Sequence, residues 1–284
     1  MKNIIIHLRL PFSFLLLPIF LFALSQAPQI DVGKAWWVFF ILHFLLFPAS
    51  NAYNSYYDKD EGSIGLLETP PPVTKGLWYV AWAMDLVGLI VGYLFVNIEF
   101  VVYLFVYGLV SKAYSHPMIR LKKYPILSWI VVTTFQGALT YVAVFRAVAP
   151  QATFSELIPQ LVPALICTSN LLAIYPLTQV YQHEEDAKRG DMTMSRLLGI
   201  KGTFVNACFW LGLSGGGFLY YFGFTTHLLL LVILLGPLLL FFGRWMWKVW
   251  EDERQANFKN TMYLNLIAAV CLNICFGVLL FWKF

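Results

Sequence analysis

Long apolar runs alternate with short polar stretches along the whole chain. A helix needs about 20 apolar residues to cross the hydrocarbon core of a bilayer. Nine runs fit that requirement, at residues 10–25, 36–54, 77–96, 99–114, 126–148, 157–181, 203–223, 227–247 and 260–282. They predict an all-α polytopic membrane protein, a bundle of nine transmembrane helices in a single domain over residues 1–284. Composition agrees: 60% of residues are hydrophobic and only 12% charged, where a soluble domain carries about a quarter charged. The first run is short and interrupted by Pro11 and Pro18. With Lys2 and Arg9 ahead of it and Ala23-Leu24-Ser25 at its end, it also has the outline of a signal peptide.

Charge orients the bundle. With the N-terminus in the cytoplasm, all of the 19 Lys and Arg residues except Lys34, Arg146 and Lys283 fall in cytoplasmic segments, the asymmetry that the positive-inside rule describes. The net charge of +4 is dispersed over short loops and gives no footprint for nucleic acid. Cys167, Cys208, Cys271 and Cys275 lie inside apolar runs without C-x-x-C spacing and read as packing residues.

Two acidic clusters change the picture. "NSYYDKDEG", Asn54 to Gly62, closes the second run, and "QHEEDAKRGDMTMSRLLG", Gln182 to Gly199, follows the sixth; both fall on the cytoplasmic side. In each, a side-chain amide precedes an Asp by four positions, Asn54 before Asp58 and Gln182 before Asp186. That spacing places the pair on one helical face. Asp60, Glu61, Glu184 and Glu185 add carboxylates nearby. Oxygen ligands at a helix end beside an acidic turn suit Mg²⁺, which takes few carboxylates and completes its shell with water and phosphate oxygens. One such cluster reads equally well as a solvated helix end; two on one membrane face favour the cation. His183, outside any H-E-x-x-H pattern, reads as a surface residue. A third cytoplasmic segment, "KAYSHPMIRLKKYP", supplies a basic patch of Lys112, Arg120, Lys122 and Lys123. Alone it is positive-inside charge; beside the acids it reads as the anion-binding half of a Mg²⁺–diphosphate site. Within the spans, Asp85, Gln136 and Asn170 are the polar residues to explain. Asp85 reads as a structural hydrogen-bonding group whose partner the sequence does not name.

These three segments resemble the UbiA superfamily of intramembrane prenyltransferases, over essentially the whole chain. The first motif of that family typically reads N-D-x-x-D-x-x-x-D or N-D-Y-x-D-x-x-x-G, and Asn54, Asp58 and Gly62 keep its register. The second typically reads D-x-x-x-D-x-x-x-G-x-x-T-x-x-x-x-x-G, kept here by Asp186, Gly190, Thr193 and Gly199. "YSHPMIRLK" matches a further family run through Tyr114, Ser115, Pro117, Arg120 and Lys122. Arg9 also fits the family and argues for a retained first helix. Ser55 and Gln182 depart from it, each standing where the family has Asp.

The resemblance implies Mg²⁺-dependent transfer of a prenyl group from an isoprenyl diphosphate to an aromatic or other lipophilic acceptor within the membrane. It implies metal ligands among Asp58, Asp60, Glu61, Gln182, Glu185 and Asp186. Diphosphate contacts would come from Arg120, Lys122 and Asn54, and catalytic roles from Asp58, Asp186 and Tyr114. Ionisation of the donor leaves an allylic cation, which tyrosine π faces such as those of Tyr57 and Tyr114 can stabilise, and a dry cavity protects it from water. The expected location is the bacterial inner membrane, among membrane lipids, with the N-terminus and active-site loops cytoplasmic. Two other readings stay open. One is a catalytically degenerate relative, suggested by Ser55 and Gln182. The other is a transporter or membrane binding protein, although transporters gather ionisable groups near the midplane and here, apart from Asp85, charge gathers at one interface.

Overall fold

The computed structural model describes residues 1–283. Among them are nine helices long and apolar enough to cross a membrane: α1 (Lys2–Gln26), α2 (Val32–Asp58), α3 (Lys75–Phe95), α4 (Ile98–Ser115), α5 (Pro125–Val148), α6 (Phe154–Leu177), α7 (Met194–Phe222), α8 (Thr226–Glu251) and α9 (Phe258–Phe281). The all-α bundle expected from the hydropathy pattern is what forms. Several boundaries move. α1 starts earlier than its apolar run because a helical segment, Lys2–Leu8, precedes a left-handed break at Arg9 (φ 47°). α6 stops at Leu177, and α7 begins at Met194, ahead of a kink at Gly199. The backbone at Gly199 (φ 70°, ψ 170°) lies in a region open almost only to glycine.

α1 is an integral wall of the bundle. Phe22 and Ala23 are fully buried, and Phe22 stacks on Phe276 of α9 with ring centroids 4.3 Å apart. Two prolines explain how neighbouring helices are joined. Proline cannot donate to the carbonyl four residues back, and within a membrane that carbonyl needs another partner. Pro176 in α6 frees the Leu172 carbonyl, which accepts from Trp129 Nε1 of α5 at 3.1 Å and Asn206 Nδ2 of α7 at 3.2 Å. Pro18 in α1 frees the Phe14 carbonyl, which accepts from Asn273 Nδ2 of α9 at 3.3 Å. A π-turn at Phe135–Leu139 loosens α5 where it meets α6. There Ala138 N donates to Thr168 Oγ1 at 2.9 Å, and Gly137 lies so close that an added Cβ would fall 2.7 Å from the Thr168 backbone. The wider turn directs Gln136 inward.

α1, α2, α4, α5, α6 and α9 enclose a central cavity of about 330 Å³, while α3, α7 and α8 contribute no residue to its wall. Asp85 of α3 finds its partner in Lys112 of α4: the two form a buried ion pair, and the ammonium also sits 4.6 Å from the Trp82 ring centroid and 5.1 Å from that of Tyr53. Lys112 therefore leaves the basic patch that the sequence suggested. Lys123 leaves it too, being exposed.

Candidate active site

The cavity opens among the loops that carry both acidic clusters. Helical spacing builds its walls, with Ser50, Asn51, Asn54 and Asp58 as a polar stripe down α2, and Tyr107, Ser111 and Tyr114 as another on α4. Lys59, in the left-handed region (φ 49°), ends α2 and turns the chain so that Asp60 returns to the cavity. On the other loop, Gly190 (φ 71°) terminates a short helix, His183–Arg189, in the left-handed conformation that glycine adopts without penalty. The turn brings Thr193 back over Asp186, and Thr193 Oγ1 donates to Asp186 Oδ2 at 3.2 Å. His183, expected at the surface, is half-buried with Nε2 2.8 Å from Ser195 Oγ at the start of α7.

The two acidic loops are bound directly to one another. Arg189 forms ion pairs with Asp60 across the loops and with Glu185 on its own helix. Glu185 accepts from the backbone N–H of Glu61 at 2.9 Å and of Gly62 at 3.1 Å, and Gln182 Nε2 donates to the Ser63 carbonyl at 3.0 Å. The basic loop joins them through Lys122, whose ammonium lies 2.5 Å from Asp58 and 3.0 Å from Asp191. Arg120 sits behind, 2.9 Å from the same Asp191.

Of the residues expected at the site, Asn54, Asp58, Asp60, Tyr114, Lys122, Gln182 and Asp186 line this one cavity. The others are placed elsewhere. Glu61 is exposed and contributes only its backbone N–H. Glu185 is consumed in tying the loops together, and Arg120 touches the site only through Asp191. Tyr57 packs on Tyr53, Tyr56 and His116 away from the cavity. Ser55 is buried with no hydrogen-bond partner, also off the wall. Three contributors were not assigned to the site from the sequence. Arg189 lines the cavity four residues after Glu185, a spacing that signals a helical ion pair. Arg9 is buried in the wall, with a carbonyl contact to Asn51 at 3.3 Å. Tyr175 lies beside Tyr114, their hydroxyls 2.6 Å apart.

The donor set suits a hard divalent cation. Asp58, Asp60 and Asp186 share the mouth with the side-chain amides of Gln182 and of Asn54, whose Oδ1 accepts from Ser115 Oγ, and Mg²⁺ needs only one or two carboxylates when phosphate and water complete its shell. Burial pushes the Asp186 carboxyl up to about 6, against the pull of the Thr193 hydroxyl and Lys122. An ionised Asp186 thus lacks sufficient compensating charge. Among the described residues no three His, Cys, Asp or Glu side chains converge closely enough to hold a metal by themselves.

Residues 15–267 match the model of the UbiA prenyltransferase family. The chain belongs to that family. Its fold is that of solved UbiA homologues. One from Archaeoglobus fulgidus, bound to DMAPP and Mg²⁺, is 17% identical with a TM-score of 0.68, covering 98% of this chain and 99% of that one. The Archaeoglobus fulgidus homologue bound to GPP and Mg²⁺ gives 18% and 0.66 over the same shares. The apo homologue from Aeropyrum pernix K1 gives 14% and 0.70, covering 94% of this chain and 98% of that one. No curated protein matches the sequence. As a UbiA-family member, the chain is an integral membrane prenyltransferase.

Proposed function

We propose that the protein transfers a prenyl group, in a Mg²⁺-dependent reaction, from an isoprenyl diphosphate to a lipophilic acceptor inside the cavity. One observation carries this reading: a single cavity has three carboxylates and three cations at its mouth and an apolar interior. That polarity matches a donor with a charged head and a hydrocarbon tail, and the DMAPP and GPP held by the Archaeoglobus fulgidus homologue are donors of this kind.

Asp58, Asp60 and Asp186, with the side-chain amides of Asn54 and Gln182, would hold the metal. When bound, Mg²⁺ supplies the positive charge that makes diphosphate a good leaving group. Lys122, Arg189 and Arg9 donate charge-assisted hydrogen bonds to the diphosphate oxygens. The C1–O bond of the donor breaks with its electron pair going to diphosphate; a bond from C1 to the acceptor forms, and the acceptor gives up one proton. Tyr114 and Tyr175 line the same cavity and would offer π faces to the allylic cation.

Purified protein given short-chain allylic diphosphates, Mg²⁺ and a membrane lipid extract is expected to release pyrophosphate and to stop when the metal is chelated. Absence of release across a broad donor panel would leave the degenerate-relative reading in its place. The mouth faces the cytoplasm in this proposal, on the strength of the Lys and Arg distribution. Single cysteines at Lys59, Lys122 and Lys188 should then resist an impermeant thiol reagent added outside cells, and one at Lys34 should react. The opposite labelling pattern reverses the orientation.

A further inference from the structure

Lys122 stands between two carboxylates. Its ammonium lies 2.5 Å from Asp58 Oδ1 on the cavity side and 3.0 Å from Asp191 Oδ2 on the other. Asp58 and Lys122 line the cavity, whereas Asp191 does not, its side chain being only 1% exposed. Arg120 reaches the same Oδ2 of Asp191 at 2.9 Å. Among the described residues the other oxygen, Oδ1, accepts no hydrogen bond. A carboxylate has about four acceptor positions, so Asp191 can take more from Lys122 than it does here.

The two partners of Lys122 differ in freedom. Asp191 is fixed through its backbone: its N–H donates to the Asp186 carbonyl at 2.9 Å, and its carbonyl accepts from Arg196 Nη1. Lys122 is the movable member, an ammonium on a flexible four-carbon stem. Asp58 faces the cavity, where a divalent cation and Lys122 compete for its charge. Separating a buried ion from its partner is costly when nothing replaces that partner. A Lys122 that gives up Asp58 keeps a buried carboxylate as long as Asp191 is present. Without Asp191, Lys122 and Arg120 would be neighbouring cations with no acid between them.

From these contacts we infer that Asp191 is a positioning residue for the metal site: it retains Lys122 when Asp58 turns to the cation, and so sets how readily Asp58 is released. Arg120 acts through the same carboxylate, competing with Lys122 for it. This role rests on the prenyl-transfer reading, which puts Mg²⁺ at Asp58. It differs from simple Coulombic attraction between Asp191 and the metal, which would operate whether or not Lys122 is there.

The test uses the full chain in nanodiscs of zwitterionic lipid with saturating geranyl thiodiphosphate as an unreactive donor. Mn²⁺ stands in for Mg²⁺, its free fraction is read by electron paramagnetic resonance, and the signal of empty nanodiscs is subtracted. Asp191→Asn should weaken Mn²⁺ binding at least about fivefold, within the span of coupling among members of one ion-pair network. In a Lys122→Met background the same substitution should change it by less than about twofold. Arg120→Leu leaves Asp191 to Lys122 alone. It should tighten Mn²⁺ binding at least about threefold with Lys122 present and less than about twofold in the Lys122→Met background, which keeps the test decisive if Asp191→Asn does not fold. Equal effects in the two backgrounds, or no effect where Lys122 is present, overturn the positioning role and leave the prenyl-transfer reading standing. If the wild type binds no Mn²⁺ beside the donor analogue, the metal-dependent reading falls and takes the positioning role with it.

Discussion

Asp58→Asn and Asp186→Asn should each reduce prenyl transfer by at least about 100-fold, the scale on which loss of one preorganised electrostatic contact is felt in catalysis. Both substitutions keep the shape and an oxygen ligand of the side chain but remove the charge that offsets a divalent cation. Neither should unfold the protein. Lys122 keeps Asp191 at 3.0 Å when Asp58 becomes an amide, and Thr193 can still donate to the amide oxygen at position 186. Turnover is read at saturating and limiting Mg²⁺, and thermal unfolding confirms folding. Glu61→Gln serves as the control: its side chain is exposed and off the cavity wall, so activity should stay at the wild-type level. Retention of full activity by both Asn variants would end the assignment of these carboxylates to the metal.

The second large effect concerns stability and lies outside the cavity. Lys112→Met should destabilise the protein by about 3–5 kcal/mol, because it leaves the Asp85 carboxylate buried without its cation. Asp85→Leu should be milder, since Lys112 keeps the Trp82 and Tyr53 rings and can extend toward the nearby end of α4. The double variant should unfold close to wild type, because exchanging a whole buried pair for apolar groups is often neutral or stabilising. Activity per folded molecule should not change in any of the three. A double variant no more stable than Lys112→Met would show that the pair is not a self-contained unit.

The number of spans, their order and the common face of the acidic loops were legible in the sequence because hydropathy and charge asymmetry are long-window signals. So was the register of Asn54 with Asp58, since four-residue spacing on a helix is local geometry. What could not be read was which way each loop side chain turns. Glu61 and Asp60 are neighbours, yet the left-handed residue at Lys59 sends one into the cavity and the other into solvent. Lys112 and Lys122 both belong to one basic stretch. The end of α4 falls between them, so the first meets Asp85 of α3 and the second meets Asp58 and Asp191. Arg189 escaped notice because its partner Asp60 is 129 residues away. Gln136 and Asn170 were visible as polar residues within spans, but only the folded chain shows that both line one cavity.

The carbonyl that Pro18 strands in α1 has a consequence for biosynthesis. Its partner, Asn273, is 259 residues further along the chain. A ribosome therefore delivers α1 to the bilayer with an exposed acceptor that no nearby segment can satisfy, and the helix waits through the insertion of seven others. Until α9 arrives, the cavity has an open side and the nascent chain carries an unpaired carbonyl in lipid. Completion of the wall and pairing of that carbonyl are therefore one event, because Asn273 belongs to the last helix to close the cavity.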